Sequence, residues 1–265
     1  MINNIHTFVV LAYKESIYLE ECIKSVLNQT IDTNVVIATT TDNKYIRAIA
    51  KKYKLNVIVG KHTTIGGDFD FARLSVKSEL VTIAHQDDVY DKNYLENVIN
   101  AYKKFKNSSI IFTDYYEIRE NKIVYTNTNL KIKRILLLPL RIKKIGKFRI
   151  FKRFVLRFGN SISCPAVTFV NKNCPKYLFT SDFKSDCDWY AWEKLSKVDK
   201  SFTFIPKKLM GHRIDETTTT TDIINSGIRT KEDLEILKKF WPEKIAFFIN
   251  KKYRKSEKSN KKIQH

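Results

Sequence analysis

Long apolar runs and cysteine motifs are missing from this sequence. No stretch reaches the roughly 20 consecutive apolar residues that a membrane-spanning helix needs. The cysteines, at positions 22, 164, 174 and 187, form no CxxC pair and no Cys/His metal spacing. The N-terminus runs into a strand pattern without the basic segment of a secretory leader. We therefore expect a cytoplasmic protein with reduced, mostly structural thiols.

Acidic residues are absent between Glu120 and Asp182, a stretch that carries 14 lysines and arginines. The tail from Lys244 to His265 adds eight basic residues against the single acid Glu257. These two regions account for the formal net charge of +20, so the rest of the chain is close to neutral. With 265 residues and 43% hydrophobic content, the chain has ample material for a folded core.

Strand and helix patterns alternate over the first 115 residues. Short apolar runs predict strands at 7–12, 34–39, 55–59, 80–84 and 110–114, with helical periodicity between them. This alternation predicts an α/β fold with a mostly parallel sheet and helices on both faces. Ligands bind such sheets at the carboxyl ends of the strands, so the ends at 12–13, 39–42 and 85–88 should meet in one cleft.

The buried-strand pattern that begins at Val81 ends in two adjacent carboxylates, Asp87 and Asp88. Adjacent carboxylates repel each other unless a cation lies between them. Mg²⁺ and Mn²⁺ prefer such oxygen ligands beside the phosphates of a substrate. The alternative is that the two acids only cap a helix that starts near Asp91. From these residues alone, both interpretations stay open.

Two segments near the N-terminus resemble the opening of family 2 glycosyltransferases, which have the GT-A fold. They are Phe8–Glu15, with the sequence FVVLAYKE, and Tyr18–Thr30, with the sequence YLEECIKSVLNQT. The resemblance continues at His85–Asp88, which is similar to the metal-binding Asp-x-Asp-Asp region of the family. It covers residues 1–100 well and residues 160–200 more loosely.

This resemblance implies a Rossmann-like GT-A domain and an inverting, metal-dependent glycosyltransferase. Such an enzyme moves a sugar from a nucleoside diphosphate sugar, with UDP as the expected nucleotide, to an acceptor hydroxyl. The sugar is expected to be a hexose or an N-acetylhexosamine. The acceptor is expected to be a glycan or a lipid-linked oligosaccharide in cell-surface polysaccharide synthesis. Mn²⁺ or Mg²⁺ is the expected cofactor.

The resemblance also implies which residues bind the donor and the metal. Asp87 matches the metal-binding acid of the family, and Asp88 matches the carboxylate beside it. His85 stands where the family usually has its first Asp, facing the nucleoside. The residues implied in donor binding at these two strand ends are Ala12, Tyr13, Glu15, His85, Gln86 and Asp87.

The family's acidic turn after the second strand is replaced here by Thr39, Thr40, Thr41 and Asp42. The hydroxyls of Thr39 and Thr40 and the carboxylate of Asp42 are candidates to bind the base or ribose instead. This departure leaves the identity of the nucleotide open.

A glycine pair at 66–67 followed by Asp68 resembles the Gly-rich segment that precedes an Ala-Arg helix in the family. Gly67 and Asp68 are therefore candidates for donor binding, and Arg73 is a candidate to reach a phosphate. The alternative is an ordinary turn with Asp68 as the helix N-cap, and with Arg73 paired to a surface acid.

The segment Ser185–Asp188 lies where the family has its general base at the start of a helix. Its spacing fits a capping box, with Ser185 as N-cap and Asp188 at the third helical position. Asp186 has no capping duty in that arrangement and is the candidate base. The helix N-terminus is expected to keep Asp186 ionised, and partial burial beside a donor sugar is expected to raise its pKa again. Simple capping is the alternative.

His212 follows a predicted strand and is a candidate third metal ligand or a group that binds the diphosphate. A purely structural histidine is the alternative. Arg229, Thr218 and Thr219 are candidates for a loop that closes over the diphosphate.

Apolar residues alternate with lysine and arginine in the segment 131–158 and again in 247–255. This composition is typical of an interfacial segment attracted to anionic lipid. We expect a membrane surface as the partner and no nucleic acid, because no nucleic-acid-binding motif accompanies the charge. A solvated basic face is the remaining alternative. The protein is therefore expected at the inner face of the cell membrane.

The predicted organisation has three parts. Residues 1–115 form the nucleotide-sugar-binding half of the GT-A domain, and residues 116–229 form its acceptor-side half with the basic segment 131–158. Residues 230–265 form a basic helical tail. The sequence does not indicate an oligomeric state.

Two other classes of function remain open. A nucleotidyltransferase shares the architecture, but the 13–15 segment is a poor match to its phosphate loop. A non-catalytic membrane- or nucleic-acid-binding protein on the same scaffold would explain His85 and the altered turn after the second strand.

Overall fold

The computed structural model describes residues 5–214 and 228–262, with side chains up to residue 252. Thr218 and Thr219 lie outside the described residues. The strands are β1 (His6–Ala12), β2 (Asn34–Thr39), β3 (Asn56–Val59), β4 (Leu80–His85), β5 (Val89–Tyr90), β6 (Ser108–Arg119), β7 (Lys122–Val124), β8 (Val167–Val170) and β9 (Ser201–Ile214). The α-helices are α1 (Leu19–Leu27), α2 (Lys44–Tyr53), α3 (Ile65–Leu74), α4 (Tyr94–Lys104), α5 (Thr128–Leu137), α6 (Arg149–Phe154), α7 (Cys187–Lys197), α8 (Ile228–Lys238) and α9 (Glu243–Lys262).

One sheet contains all of these strands, in the order β3-β2-β1-β4-β8-β6-β9-β5, with β7 paired to β6. Strands β1 to β4 are parallel. Strand β8 runs antiparallel to both β4 and β6, while β6 and β9 are parallel. The α/β prediction is therefore confirmed, and antiparallel pairs are confined to the half that follows β4.

Helices cover both faces of the sheet because its central strands are apolar on both sides. Phe8 and Val10 of β1 face a cluster built with α1, α2 and α4. Val9, between them, faces a second cluster built with α3, α7 and α8. This alternation follows from the two-residue period of a strand.

The register of the parallel strands aligns their carboxyl ends. Leu11 pairs with His85 of β4, and Ala12 pairs with Thr39 of β2. Thr39 in turn pairs with Val59 at the end of β3. The loops that follow these strands therefore leave the sheet at one edge, as the sequence predicted.

Helix α3 begins at Ile65, four residues before the predicted start at Phe69. The side chain of Thr64 is the N-cap and accepts a hydrogen bond of 3.0 Å from the N–H of Gly67. The prediction of Asp68 as N-cap is therefore wrong. Gly66 lies where the helix approaches the main chain, because a Cβ there would lie 2.3 Å from the Phe179 carbonyl oxygen.

Strand β6 is longer than predicted and forms a hairpin with β7. The turn residues Glu120 and Asn121 have φ angles of 48° and 60°, in the left-handed region that tight turns require. Residue 115, where the sequence analysis divided the chain, lies inside β6. That division stays a prediction.

Two further findings concern the cysteines and the helices. All four cysteine thiols are free, and three of them are buried. Within the described ranges, none of the helices combines the length and the apolar character needed to cross a bilayer.

Candidate active site

A cleft of about 520 Å³ lies at the carboxyl ends of β1, β2 and β4. It is lined by several residues that the sequence analysis singled out: Ala12, Tyr13, Thr40, Asp68, His85, Gln86, Asp87, Asp186, His212 and Arg229. The expected meeting of the strand ends in one cleft is therefore observed.

Gln86 joins the ends of β1 and β4 at the cleft. Its side-chain oxygen accepts a hydrogen bond of 3.0 Å from the N–H of Tyr13, and its amide nitrogen donates one of 2.9 Å to the Tyr13 carbonyl oxygen. Both polar ends of the amide are thus used by the protein backbone. Gln86 therefore positions Tyr13 in this structure.

Asp68 reaches the cleft from the first turn of α3. Its Oδ2 accepts a hydrogen bond of 3.2 Å from the Thr40 hydroxyl and lies 2.8 Å from Nδ1 of His62. His62, which the sequence analysis missed, follows the carboxyl end of β3. The same strand-end rule that identified the other loops would have found it.

His85, Asp87 and Asp88 form a cluster in which one ligand atom from each residue lies within 4.8 Å of the others. Asp88 is fully buried, and its Oδ1 accepts hydrogen bonds from the Arg213 N–H at 2.8 Å and from His212 Nδ1 at 3.0 Å. In the part of the chain that the structure describes, Oδ2 of Asp88 and Nε2 of His85 have no hydrogen-bond partner. The cluster therefore has an oxygen and a nitrogen atom that are available as ligands for a cation.

The electrostatics of this cluster are those of a crowded anionic site. Burial and the neighbouring Asp88 charge raise the pKa of Asp87 to about 6. Burial lowers the pKa of His85 to about 4. Burial also acts to lower the pKa of His212, but the charge and hydrogen bond of Asp88 outweigh it, and the pKa of His212 is raised. A divalent cation would relieve this repulsion.

The structure groups the candidate metal ligands differently from the sequence analysis. His85, predicted to face the nucleoside, lies with the two acids. His212 contacts Asp88 through Nδ1, so only its Nε2 remains for a ligand. Metal binding by His212 stays a prediction.

Asp186 lies at the N-cap position of α7 and is 3% exposed. The predicted capping box is wrong. Asp188 accepts its hydrogen bonds from Asn160 and from the N–H of Trp189, both at 2.7 Å. Asp186 makes no side-chain capping bond. Glu232 of α8 instead holds the backbone that leads into α7, because it accepts hydrogen bonds from the N–H groups of three successive residues, Lys184, Ser185 and Asp186.

Of the two influences expected on Asp186, burial outweighs the helix N-terminus. Burial, with the charge of Asp233, raises the pKa of Asp186 well above its usual range. Arg229, whose Nε lies 4.0 Å from Oδ1 of Asp186, opposes this shift only in part. The backbone N–H groups of residues 184–186 donate to Glu232. The carboxylate of Glu232 therefore lies close to Asp186, and its charge also raises the pKa of Asp186.

Three donor-binding candidates after the first two strands do not line the cleft. Thr39 is buried, and its hydroxyl accepts a hydrogen bond of 3.1 Å from the N–H of Thr41. Asp42 forms an ion pair of 2.7 Å with Arg47 of α2. Glu15 is exposed. Among the candidates of the altered turn, only Thr40 is brought to the cleft.

Gly67 and Arg73 are also placed away from the cleft lining. Gly67 belongs to the first turn of α3 and is not part of a loop. Arg73 is 1% exposed and donates hydrogen bonds to the carbonyl oxygens of Pro175 and Lys176, at 2.8 Å and 2.5 Å. The prediction that Arg73 reaches a phosphate is wrong, because its guanidinium group is used to hold the 175–176 backbone.

Lys133 and Tyr115 line the side of the cleft next to His212, and the sequence analysis missed their role there. Nζ of Lys133 donates a hydrogen bond of 2.9 Å to the Tyr115 hydroxyl. The sequence assigned Lys133 only to the basic segment. Its position in the cleft depends on how α5 packs, which no local pattern reveals.

The sequence model of glycosyl transferase family 2 matches residues 7–161 of the chain. Comparison with curated proteins finds no significant match. Among solved structures, residues 1–349 of S. aureus TarS in complex with UDP-GlcNAc are 16% identical with a TM-score of 0.60. That alignment covers 92% of this chain and 70% of the TarS chain.

Two further structures show the same fold. A longer S. aureus TarS structure is 14% identical with a TM-score of 0.58, over 92% of this chain and 42% of that one. The mannosyltransferase PcManGT from Pyrobaculum calidifontis, in complex with GDP-Man and Mn²⁺, is 11% identical with a TM-score of 0.61. That alignment covers 89% of this chain and 64% of the PcManGT chain. With the family match spanning more than half of the sequence, the chain belongs to glycosyl transferase family 2 and has its GT-A fold.

Proposed function

We propose that this glycosyltransferase moves a hexose or an N-acetylhexosamine from UDP to a hydroxyl of a glycan or lipid-linked acceptor, with inversion and with bound Mn²⁺ or Mg²⁺. The observation that carries the proposal is that the cluster of His85, Asp87 and Asp88 shares one cleft with Asp186. The UDP-GlcNAc of the TarS structure and the GDP-Man and Mn²⁺ of PcManGT support a nucleotide sugar and a metal. A role in cell-surface polysaccharide synthesis is part of the same proposal.

The cluster residues fit a hard divalent cation. Asp87 supplies a carboxylate whose raised pKa reflects burial beside a second anion. Asp88 has a buried oxygen, and His85 a buried nitrogen, without a hydrogen-bond partner among the described residues. When bound, Mn²⁺ or Mg²⁺ would act as a Lewis acid for the charge of the leaving diphosphate.

The protein also brings its own cations to the donor. His212 and Lys133 line the cleft beside the cluster, and the raised pKa of His212 favours its charged form. Both side chains would attract the diphosphate and favour the charge that develops as the sugar leaves. Thr40 and Tyr13, which follow the carboxyl ends of the neighbouring strands β2 and β1, would contact the nucleoside.

Asp186 is the proposed general base. Its carboxylate would take the proton of the acceptor hydroxyl while the hydroxyl oxygen bonds to the anomeric carbon and the nucleoside diphosphate leaves. The raised pKa makes the ionised carboxylate a strong base. It also means that the group must lose its proton before each turnover. Arg229, 4.0 Å away, favours that ionised form.

The test is release of UDP from UDP-sugars in the presence of an acceptor lipid extract and Mn²⁺, by wild type and by Asp186→Asn. We expect wild type to release UDP with one sugar above all others, and the variant to lose at least about a hundredfold of that rate. Full turnover by Asp186→Asn would contradict the assignment of the base. Absence of turnover with all donors and extracts would contradict the proposed function.

A further inference from the structure

An exposed surface that is both basic and apolar lies on the 131–158 segment and the beginning of α9. Its large apolar side chains include Ile135, 63% exposed, and Ile150, 72% exposed. The other exposed apolar residues of this surface are Ile132, Leu138, Ile142, Phe148, Phe154, Phe158, Ile245, Phe247 and Phe248. We call this set the docking surface.

Side-chain contacts join the two segments that carry the docking surface. Arg153 of α6 donates a hydrogen bond of 2.5 Å to the Lys239 carbonyl oxygen. The guanidinium group of Arg157 lies 3.8 Å from the ring centre of Trp241, whose indole N–H donates to the Arg157 carbonyl oxygen at 2.7 Å. Two regions that are separate in the sequence are thus joined side by side in the fold.

Some of the basic side chains of the 131–158 segment bind partners within the protein. Arg134 is paired with Asp114 at 2.8 Å. Lys152 is buried and donates to the carbonyl oxygens of Val198 and Lys200. The cations that remain exposed around the apolar side chains are Lys131, Arg141, Lys144, Lys147, Arg149, Lys244, Lys251 and Lys252.

We propose that the docking surface binds an anionic lipid bilayer. Its apolar side chains would enter the headgroup region, and its exposed cations would meet the lipid phosphates. A second copy of the chain is a poor occupant, because two surfaces of the same positive charge would face each other. A nucleic acid would match the charge but offers little apolar surface for side chains such as Ile135 and Ile150.

The docking surface adjoins the active-site cleft. Helix α5 carries Lys133, which lines the cleft, between Ile132 and Ile135 of the docking surface. Binding to a bilayer would therefore hold the rim of the cleft at the membrane, where a lipid-linked acceptor is found. This last consequence rests on the proposed function, whereas bilayer binding itself does not.

The test is flotation of the full chain with vesicles of neutral phosphatidylcholine, and with vesicles that also contain phosphatidylglycerol, at 150 mM and 500 mM NaCl. We expect binding to the anionic vesicles and a marked loss at high salt. Lys144→Gln with Lys147→Gln should lower the partition coefficient about 25-fold, at about fivefold per charge. Phe148→Ser with Ile150→Ser should lower it about tenfold or more.

Matched controls separate this surface from the general charge of the protein. Lys44 and Lys51 are exposed on α2, and Ile17 is an exposed apolar residue near α1. Lys44→Gln with Lys51→Gln, and Ile17→Ser, should float as wild type does. Equal losses in control and surface variants would overturn the proposal. So would binding to duplex DNA with no binding to anionic vesicles. UDP release with a detergent-solubilised acceptor, measured on the same variants, reports the proposed function separately.

Discussion

The carboxylate of Glu232 accepts a hydrogen bond of 3.1 Å from the backbone N–H of Asp186. The same carboxylate accepts bonds of 2.7 Å from the N–H groups of Lys184 and Ser185. Helix α8 thereby holds the backbone that leads into α7, whose N-cap residue makes no side-chain capping bond. Glu232 thus positions the backbone of the proposed base without touching its carboxylate.

Replacing Glu232 by Ala should destabilise the protein by about 2–4 kcal/mol, because three backbone N–H groups lose a charged acceptor and that of Asp186 is buried. It should also lower kcat more than it changes KM for the donor. Urea unfolding and steady-state kinetics measure the two effects. Glu235→Ala is the matched control, since Glu235 lies one turn further along α8 and is 59% exposed. Equal losses of stability and of kcat for the two substitutions would contradict the proposed role of Glu232 in holding this backbone.

Asp186→Asn should abolish turnover and stabilise the fold. The pKa of Asp186 is raised above its ordinary 3.8 in the folded protein, so the folded state binds this proton more tightly than the unfolded chain. The stability from this group is therefore lost as pH rises from 3.8 through the raised pKa. The neutral amide avoids that loss, and we expect a gain of about 1–2 kcal/mol at pH 7.5. A lower melting temperature for the variant would contradict this account.

The pH dependence of turnover should report the ionisation of Asp186. A base with a raised pKa is mostly protonated at neutral pH, so kcat should rise with pH through the neutral range. The rise should approach tenfold per pH unit below the pKa of Asp186 in the enzyme–substrate complex. Rates at saturating donor and fixed Mn²⁺, from pH 6 to pH 9, measure this slope. A profile already flat at pH 6 would show that burial does not raise the pKa of the working base.

The sequence revealed those parts of the site that depend on local pattern. The strand ends at Tyr13, Thr40 and Asp87 were found because apolar runs mark the strands and polar residues follow them. The contact of Glu232 with the backbone before α7 was missed because Glu232 lies 46 residues after Asp186 on another helix. Burial was expected to raise the pKa of Asp186, but the further effect of the Asp233 charge was missed because Asp233 lies on that same distant helix.

For Arg73 the sequence predicted the position of the residue correctly and its contacts wrongly. Its place on α3 follows from periodicity, but the partners of its guanidinium group include the Asn171 side chain and two carbonyl oxygens about 100 residues away. Those partners are set by tertiary packing. The resemblance to the family motif therefore predicted the wrong role, phosphate binding, for Arg73.

Arg73→Met should cost about 3–5 kcal/mol of stability, because the buried carboxylate of Asp70 and the carbonyl oxygens of Pro175 and Lys176 lose a cationic donor. The Kd for UDP should stay within about twofold of wild type at a temperature where both proteins are folded. Urea unfolding and calorimetric titration measure these values. Lys77→Met, at an exposed position just after α3, is the control. A large rise in Kd without a loss of stability would restore the phosphate role.

The most direct test of the account is calorimetric titration of UDP with and without Mn²⁺ into wild type, Asp87→Ala and Asp42→Ala. Asp42 is the control carboxylate, because its ion pair with Arg47 keeps it out of the cleft lining. The account predicts that UDP binds wild type and Asp42→Ala only with Mn²⁺, and that Asp87→Ala loses at least about tenfold in affinity. Metal-independent binding, or Asp87→Ala binding as wild type does, would contradict the proposed metal-dependent donor site.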